Sequence, residues 1–578
     1  MSSSPNWVQE MTRKYFTRTI SQFILHGNTA DFVRSADATG QTQYVKFNDY
    51  LLHHLFRRRD LVLTYDRAVG LSFRDADAKK DFQQVFLPNY DLIHRTTFAQ
   101  QFPADPALVL LILERYFLTR LTTGKKIALV IDFAETLVPA GSSSYYGQQD
   151  RAILVFLQRW ARDSTFLQSD MTTVLVAENL NDLNQQLVRD PHSYEVEVPF
   201  PDEPERGAFV AHYLSQYPDT AQRLEMNADV LAQQTAGLNC VQLNTMLSEI
   251  RTGSEVFTHV QLKERKKEII ESEAGGLLGF VETRFSLDDV AGHAAAKDHL
   301  RAAARALKAG RPDVMPMGYL VNGPVGTGKT FLISCFASDI GIPMVELKNF
   351  RSQWQGVTES NLERVLKLLR AMSPVAVMID EADAYLGNRS QQGDSGVSNR
   401  VFSMIASFMS NTEHRGLIIW FLVTARPDLM PVDLKRQGRA EEHIALFYPE
   451  SLDEKKELFK VMLRKTKIQD LSLADFSDEF FEHLNILSGA DMEAALTRAK
   501  FKAAARDLPA ITVELVQEVF DDFIPPTYPE EVELMNYVAV MECTSKELLP
   551  PRFRSLTRAE VIQKVQLLKA QIQAGRPG

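Results

Sequence analysis

Cysteine is scarce in this chain: its 578 residues include only Cys240, Cys335 and Cys543, which lie far apart. This spacing offers neither the cysteine pairs of a metal site nor a disulfide framework. We therefore expect the three side chains to be small buried hydrophobic groups.

Long apolar runs are also missing. Stretches such as GLIIWFLVTA at 416–425 fall well short of the roughly 20 residues that cross a bilayer, and they suit buried strands better. The opening MSSSPNWVQEMTRKYF has no apolar core or small-residue cleavage site. We expect no membrane span, no secretory signal and a cytoplasmic protein.

An excess of basic residues is missing as well, since the net charge is -10 and the pI is about 5.7. This balance argues against a broad basic surface for DNA or RNA. No cluster of aromatic and basic residues suggests a single-strand groove. A nucleic-acid motor or loader therefore stays a minor hypothesis, which a DNA-stimulated turnover would revive.

The chain does contain a phosphate-loop pattern. Residues 322–330 read NGPVGTGKT, which fits the glycine-rich loop whose backbone N–H groups surround phosphates. The strand GYLVN at 318–322 precedes it, and a helix at 331–340 follows. Apolar strands then alternate with amphipathic helices as far as HIALFYP, which indicates an α/β fold with a parallel sheet covered on both faces.

The first half repeats this order of elements with weaker patterns. Strands are expected at SQFILH, LVLTYD, IALVIDFAE, TVLVAENL and YEVEVPFPD, and both halves end in similar helical stretches, as TAGLNCVQLNTML and LSGADMEAALTRA show. Two tandem copies of one P-loop-type domain are therefore predicted. The first copy is degenerate, because HGNTADFV replaces the phosphate loop and Phe133 follows Asp132 where a catalytic glutamate would stand.

Five segments follow from these patterns and from the glycine pair at 275–276. We predict a degenerate domain at 1–262, a linker at 263–282, a large ATPase subdomain at 283–450, a helical lid at 451–527 and C-terminal helices at 528–578. The last helix carries Val561, Val565, Leu568 and Ile572 on one face, which should pack on its own domain.

The second copy contains a complete set of residues for handling a nucleotide. We expect Lys329 to reach the β and γ phosphates and Thr330 to ligate Mg²⁺. Asp380 and Glu381 end the strand VAVMID, so that Asp380 would lie beside the metal and Glu381 would deprotonate the attacking water. The predicted cofactors are ATP and Mg²⁺.

A family resemblance becomes specific at this point. FSLDDVAG, GPVGTGKT, SQWQGVTESN, VMIDEAD, TARPDLMPVDLKRQGRAEEHI and SGAD follow one another as in AAA ATPases of the meiotic, protein-remodelling clade. The chain also resembles the uncharacterised AAA family of plastid and cyanobacterial genomes through GGLLGFVET and DSGVSNRVF. That family likewise carries a degenerate front domain.

The resemblance implies roles for particular residues. Arg436 and Arg439 should reach the ATP of the next subunit in a ring, a hexamer by the family's pattern, and the loop of Trp354, Gln355 and Gly356 should line a central pore. Gln355 replaces the usual aliphatic residue. The nucleotide contacts are expected at Asp289, Ala291, Gly323, Pro324, Val325, Gly326, Thr327, Gly328, Lys329, Thr330, Phe331, Gly489 and Ala490.

One departure from the family bears on the rate of hydrolysis. The segment Val423 to Pro427 contains no asparagine to polarise the attacking water, and the Thr424 hydroxyl is the predicted substitute. Our leading hypothesis is an ATP-driven remodeller of a protein substrate or adaptor. The alternative is a nucleotide-dependent scaffold or switch with slow hydrolysis. Fold resemblance alone does not separate the two.

Overall fold

The computed structural model describes residues 4–37, 39–86, 105–141, 146–253, 255–348, 358–386, 395–484, 488–524 and 528–574. The chain divides into two compact units. The first unit extends to Ala274 and also includes the helix Thr358–Met372, and the second contains the remainder from Gly275 onward. In the first unit, the Glu363 carboxylate of that helix accepts hydrogen bonds from the backbone N–H groups of Leu180 and Asn181.

The first unit is built on a six-stranded sheet in the order β5-β4-β6-β7-β1-β8, parallel except for β5. The central strands β6 and β7 are fully buried and mostly apolar, as expected for a parallel sheet covered on both faces, and Thr172 and Thr173 are the polar residues of β7. Strands β2 and β3 form a separate antiparallel hairpin. The strands are β1 Gln22–Gly27, β2 Phe32–Ala36, β3 Thr42–Lys46, β4 Leu61–Asp66, β5 Gly70–Phe73, β6 Ile127–Ile131, β7 Met171–Ala177 and β8 Ser193–Val198.

Helices cover both faces of this sheet and then form a helical subdomain after β8. One face packs a core that includes Leu113 and Trp160, and the other packs a core that includes Trp7 and Phe47. The helices are α1 Asn6–Tyr15, α2 Phe47–Tyr50, α3 Ala76–Phe86, α4 Pro106–Leu121, α5 Gln148–Arg162, α6 Ser164–Gln168, α7 Gln185–Val188, α8 Glu203–Gln216, α9 Pro218–Ala221, α10 Ala228–Gln234, α11 Cys240–Thr252 and α12 His259–Glu273.

The second unit contains another six-stranded sheet, in the order β14-β10-β13-β12-β11-β9. Only β9 runs antiparallel, to β11. Five strands of this sheet repeat the order β8-β1-β7-β6-β4 of the first unit, so each copy has the same parallel core. The predicted fold of two tandem α/β domains is confirmed. The strands are β9 Leu278–Phe280, β10 Gly318–Asn322, β11 Met344–Leu347, β12 Val375–Ile379, β13 Ile418–Thr424 and β14 Glu442–Ala445.

Helices follow the second sheet as a lid and a C-terminal pair. The lid has its own aromatic core around Phe459 and Phe481, and the last helix packs Val561, Val565 and Leu568 within its own unit, as predicted. The helices after β9 in the chain are α13 Ala294–Lys308, α14 Lys329–Ile340, α15 Thr358–Met372, α16 Ala382–Leu386, α17 Ser395–Met409, α18 Leu452–Lys465, α19 Asp478–His483, α20 Gly489–Ala505, α21 Val513–Asp522, α22 Pro529–Glu542, α23 Pro551–Arg554 and α24 Arg558–Ala574. Of these, α15 is the helix that groups with the first unit.

The segment 263–282, predicted as a linker, is largely regular structure. The charged stretch forms α12, which begins with a capping box at Thr258 and buries Leu262 and Ile270. Residues 278–280 then form β9 at the edge of the second sheet. The many charged residues of this helix make its two buried positions hard to recognise in the sequence.

Cys240 and Cys335 are buried as predicted, whereas Cys543 is half-buried. Among the described residues, every helix is too short or too polar to traverse a lipid bilayer.

Candidate functional site

The phosphate loop connects β10 to the first turn of α14. Gly323 has a φ of +135°, and a Cβ atom there would lie 2.0 Å from the Leu446 carbonyl oxygen, so only glycine fits. A Cβ on Gly326 would lie 2.7 Å from Ser488 at the start of the lid helix α20. The glycines therefore allow the loop, the sheet and the lid to approach one another closely.

Lys329 is the first residue of α14, and its ammonium points back into the loop. Nζ donates hydrogen bonds of 2.8 Å to the carbonyl oxygens of Gly323 and Pro324. Burial lowers the pKa of Lys329 to about 8, and the charges of Asp380 and Asp383 oppose this shift. A phosphate group fits this position, since it would give the desolvated cation an anionic partner.

Thr330 and Asp380 come together beside the loop. The Thr330 hydroxyl donates a hydrogen bond of 2.8 Å to Asp380 Oδ2. These hard oxygen atoms suit Mg²⁺. In the described part of the chain, no group of three or more His, Cys, Asp and Glu side chains could hold a metal ion. A metal at this pair would therefore take its remaining ligands from phosphate and water.

Glu381 follows Asp380 in a strained turn. Its φ is +49°, which is uncommon for a residue with a side chain, and its backbone N–H donates to Asp380 Oδ1 at 2.8 Å. The Glu381 side chain is exposed. The backbone thus fixes the position of this carboxylate next to Asp380 while leaving it accessible to water.

Thr424 ends β13, in register with Asn322 of β10. Its hydroxyl donates to Asp383 Oδ1 at 2.5 Å and accepts a hydrogen bond from the backbone N–H of Arg426. The single hydroxyl proton is therefore already used. Neighbouring Asn322 is fully buried, and neither polar atom of its amide has a hydrogen-bond partner within the described residues.

A cavity of about 660 Å³ lies within the second unit beside the phosphate loop. Its wall includes Gly326, Thr327, Gly328 and Phe331 from the loop and the start of α14. Asp289, Ala291 and Gly489, which the resemblance predicts near the adenine, also line it. The remaining predicted contacts, Gly323, Pro324, Val325, Lys329, Thr330 and Ala490, are not part of its wall.

The Asp289 side chain has a structural task in the second unit. Its Oδ2 accepts a hydrogen bond from the backbone N–H of Ser286, and its Oδ1 pairs with Arg464. The carboxylate is thereby engaged within the protein. The contact of Asp289 with the adenine that the resemblance implies is made by its backbone and stays a prediction.

Two residues that the sequence reading missed support the loop. The Tyr448 hydroxyl donates to the Val325 carbonyl at 2.7 Å, and His293 Nε2 lies 3.2 Å from the Thr327 carbonyl. Both side chains line the cavity. Burial lowers the pKa of His293, which favours the neutral ring. In the sequence, His293 directly precedes the helix start at Ala294, and Tyr448 belongs to the YP pair after β14. These were the patterns that could have indicated the two residues.

The predicted arginines lie in the segment before β14. Arg436 is exposed, and Arg439 Nη1 donates to the Asp433 carbonyl at 2.7 Å. Burial and the nearby Arg436 charge lower the pKa of Arg439. Neither residue lines the cavity of its own chain. The predicted pore-loop residues Trp354, Gln355 and Gly356 lie outside the described residues.

The first unit keeps the backbone of this site but not its chemistry. Gly27 ends β1 with a φ of +105°, and a Cβ there would lie 2.5 Å from the Val198 carbonyl. Phe133 has a φ of +50°, and its backbone N–H donates to Asp132. This is the geometry of Glu381 next to Asp380, so Phe133 occupies the glutamate position with a side chain that cannot accept a proton.

Comparisons with known proteins match three parts of the chain to family profiles. Residues 2–199 match "AAA+ chaperone, N-terminal Rossmann-like domain", and residues 204–275 match "AAA+ chaperone, second helical domain". Residues 319–448 match "ATPase family associated with various cellular activities (AAA)". The predicted resemblance is confirmed.

Curated relatives match parts of the chain. An uncharacterised AAA domain-containing protein ycf46 of Trieres chinensis is 28% identical over 47% of this chain and 55% of its own length. A cell division cycle protein 48 homolog of Archaeoglobus fulgidus is 30% identical over 38% of this chain and 32% of its own. The peroxisomal ATPase PEX6 of Candida glabrata is 29% identical over 33% of this chain and 19% of its own. The matches thus span about half the length of the first relative and less of the others.

Proposed function

Since this chain is an AAA-family protein of the AAA+ chaperone type, we propose that its second unit binds ATP with Mg²⁺ and hydrolyses it to ADP and phosphate. The observation that carries this proposal is the hydrogen bond between Thr330 and Asp380. It unites the phosphate loop with the strand end that bears Glu381, which are the two parts that phosphoryl transfer requires.

The phosphate loop holds the nucleotide. The Lys329 ammonium leaves the carbonyl groups of Gly323 and Pro324 and pairs with the β and γ phosphates, while loop N–H groups bind the remaining oxygens. Thr330 and Asp380 would hold the magnesium ion, which would neutralise part of the phosphate charge. The lowered pKa of Lys329 returns toward its ordinary value when the phosphates provide negative charge.

Glu381 acts as the general base. Its carboxylate is accessible to water, and the turn at φ +49° fixes it one residue beyond Asp380. The carboxylate takes a proton from the water that attacks the γ phosphorus atom, and ADP leaves with the bond electrons. Thr424 contributes indirectly, because it holds Asp383 at 2.5 Å beside this region.

The cavity accommodates the nucleoside. Asp289, Ala291 and Gly489 contact the adenine and ribose, as the resemblance implies, and His293 and Tyr448 keep the loop in place below them. An adenosine moiety fits a cavity of this size, about 660 Å³.

Arg436 and Arg439 serve the ATP of a neighbouring subunit in a ring of six. Burial and, second to it, the nearby Arg436 charge lower the pKa of Arg439, and an anion at an interface would relieve the repulsion between the two guanidinium groups. Their absence from the cavity of their own chain supports a role in trans. In this arrangement they stabilise the charge that develops during transfer.

The ring remodels a polypeptide, which is the action implied by the AAA+ chaperone match. Changes between the ATP and ADP states move the Trp354 loops, whose large rings grip many side chains by contact area. Trp354→Ala should leave ATP affinity unchanged and abolish unfolding of a tagged substrate protein. Unfolding at the wild-type rate would remove the pore loop from the proposal.

A nucleotide switch with slow turnover is the second candidate. The Thr424 hydroxyl proton is donated to Asp383, and the segment 423–427 has no asparagine, so Thr424 does not donate to an attacking water in this arrangement. In that case ATP binding alone would change the assembly state, and the first unit would recruit partners.

Phosphate release separates the candidates. The full chain is assayed with ATP and Mg²⁺ beside Glu381→Gln, with Glu413→Gln as a matched control at an exposed site of the same unit. The ATPase proposal expects turnover that only Glu381→Gln abolishes. If the proteins bind ATP tightly and none of them releases phosphate, the nucleotide switch is the remaining candidate function.

A further inference from the structure

The lid helices of the two units begin in the same way. Helix α11 starts with a capping box between Asn239 and Gln242, and α20 starts with one between Ser488 and Asp491. The first two residues of α11, Cys240 and Val241, therefore correspond to Gly489 and Ala490. Those two residues are the lid positions predicted to lie beside the nucleotide in the second unit.

In the first unit, a carboxylate occupies the start of this lid helix. Asp31 Oδ2 accepts the backbone N–H of Cys240 at 3.1 Å, and Oδ1 accepts that of Val241 at 2.9 Å. The Asn28 amide donates to Oδ2 at 2.8 Å. Asp31 is only 4% exposed. Every one of these contacts is a donor, which is the environment that an anion requires.

The position of Asp31 in the chain matches that of the phosphate loop. Gly27, the last residue of β1, has a φ of +105°, and Gly323, the residue after β10, has a φ of +135°. A Cβ atom on either glycine would come too close to a backbone carbonyl oxygen, at 2.5 Å and 2.0 Å. Asp31 follows Gly27 by four residues, as Thr327 follows Gly323 in the middle of the loop. The lost loop is thus replaced by a turn that carries its own negative group.

We infer that the Asp31 carboxylate is a built-in substitute for the nucleotide anion, which ties the end of β1 to the lid helix α11 in the absence of ATP. The inference goes beyond the proposed function and holds whether or not the second unit hydrolyses ATP. The first unit is consequently a domain with a permanently attached lid. It offers partners a surface that does not change during the nucleotide cycle.

Burial outweighs the hydrogen bonds at this position, so that the pKa of Asp31 is raised. The hydrogen bonds from Cys240, Asn28, Phe32 and Val241 act in the opposite direction. The N-terminus of α11 adds a partial positive charge that favours a carboxylate. Asparagine has the same shape as aspartate, but its NH2 group would face N–H donors that need an acceptor. Asp31→Asn therefore tests the hydrogen bonds of the carboxylate without a change of shape.

Hydrogen exchange of the peptide 239–246, measured on the full chain by mass spectrometry, tests the inference. In the wild type and in Lys329→Ala, exchange of this peptide should be slow and unaffected by ATP with Mg²⁺. In Asp31→Asn it should accelerate about tenfold or more, since hydrogen bonds to a charged group are lost. Asp202→Asn is the control, because Asp202 caps the neighbouring lid helix α8 at an exposed site.

A rescue experiment strengthens the test. Asp31→Ala should regain slow exchange in sodium formate but not in sodium chloride of equal concentration. Unchanged exchange in Asp31→Asn would overturn the inference, as would protection by ATP in Lys329→Ala, where the second unit lacks its phosphate-binding lysine. If both Asp31 variants fail to fold, the comparison of wild type and Lys329→Ala with and without ATP still decides whether the lid responds to nucleotide.

Discussion

The hydroxyl of Thr330 donates a hydrogen bond of 2.8 Å to the carboxylate of Asp380, although 50 residues separate the two in sequence. Thr330 lies in the first turn of α14 and Asp380 at the end of β12. The parallel sheet brings both elements to the carboxyl ends of its strands, where ligands of α/β proteins bind. This contact joins the two residues that we propose as magnesium ligands, and the predictions below start from it.

Thr330→Ala should reduce ATP hydrolysis by at least about tenfold, because it removes one oxygen ligand of the metal. Raising the Mg²⁺ concentration should restore part of the activity. Thr330→Ser keeps the hydroxyl and serves as the control, which should retain most of the wild-type rate. Equal Mg²⁺ requirements for Thr330→Ala and the wild type would remove Thr330 from the metal site.

Thr424→Val should lower turnover and should do so more than Thr424→Ser. Valine has the shape of threonine but leaves Asp383 without its donor and Arg426 N–H without its acceptor. ATP affinity should stay unchanged, since Thr424 does not line the cavity. Turnover is measured by steady-state kinetics, and ATP affinity is measured by equilibrium titration with a fluorescent nucleotide. A Thr424→Val enzyme as fast as Thr424→Ser would show that the hydroxyl has no part in catalysis.

Tyr448→Phe should weaken ATP binding by about fivefold, which corresponds to one lost hydrogen bond of about 1 kcal/mol. The deleted hydroxyl supports the Val325 carbonyl of the phosphate loop. Hydrolysis at saturating ATP should change little. Tyr537→Phe, in α22 of the same unit, is the control. Equal affinities for both variants and the wild type would mean that the loop keeps its shape without this contact.

The sequence predicted the parallel cores, which are confirmed, and it proposed the catalytic positions, because both depend on local patterns. Apolar runs identified the central strands, and GPVGTGKT and VMIDEAD identified the loop and strand end that Thr330 and Asp380 connect. The sequence missed the hairpin β2–β3, whose strands are short and half-exposed. It also placed α15 with the second copy alone, whereas that helix groups with the first unit.

Supporting residues could not be found in the same way. Tyr448 and His293 each contact one backbone group, and Asp31 contacts two, all distant in sequence. Such contacts leave no periodic pattern, since they depend on how one turn approaches another. The replacement of the glutamate by Phe133 could be recognised in the sequence, because the position of Phe133 after Asp132 repeats the position of Glu381 after Asp380.

Lowering the pH should destabilise the first unit through His26, which is 8% exposed. The pKa of His26 is lowered to about 4, first by burial and second by the Lys367 charge, while Glu363 and Glu197 oppose the shift. An unfolded histidine titrates near 6.5, so below that pH the unfolded chain binds a proton that the folded chain does not. The stability from this group is therefore complete above pH 6.5 and is lost as the pH falls toward 4.

The expected loss between pH 7 and pH 5 is about 2 kcal/mol from His26 alone. Urea unfolding of the wild type and of His26→Gln at both pH values measures it, because the difference between the two proteins cancels the contribution of other groups. The wild type should lose more stability than His26→Gln. Equal losses would show that His26 has an ordinary pKa in the folded protein.

The most direct test of the central claim is the composition of the nucleotide that stays bound after incubation with ATP and Mg²⁺. Wild-type protein, separated rapidly and analysed by chromatography, should carry mainly ADP, whereas Glu381→Gln should carry mainly ATP. That result would establish the second unit as an ATPase with Glu381 as its base. ATP on both proteins, or ADP on both, would contradict the assigned role of Glu381.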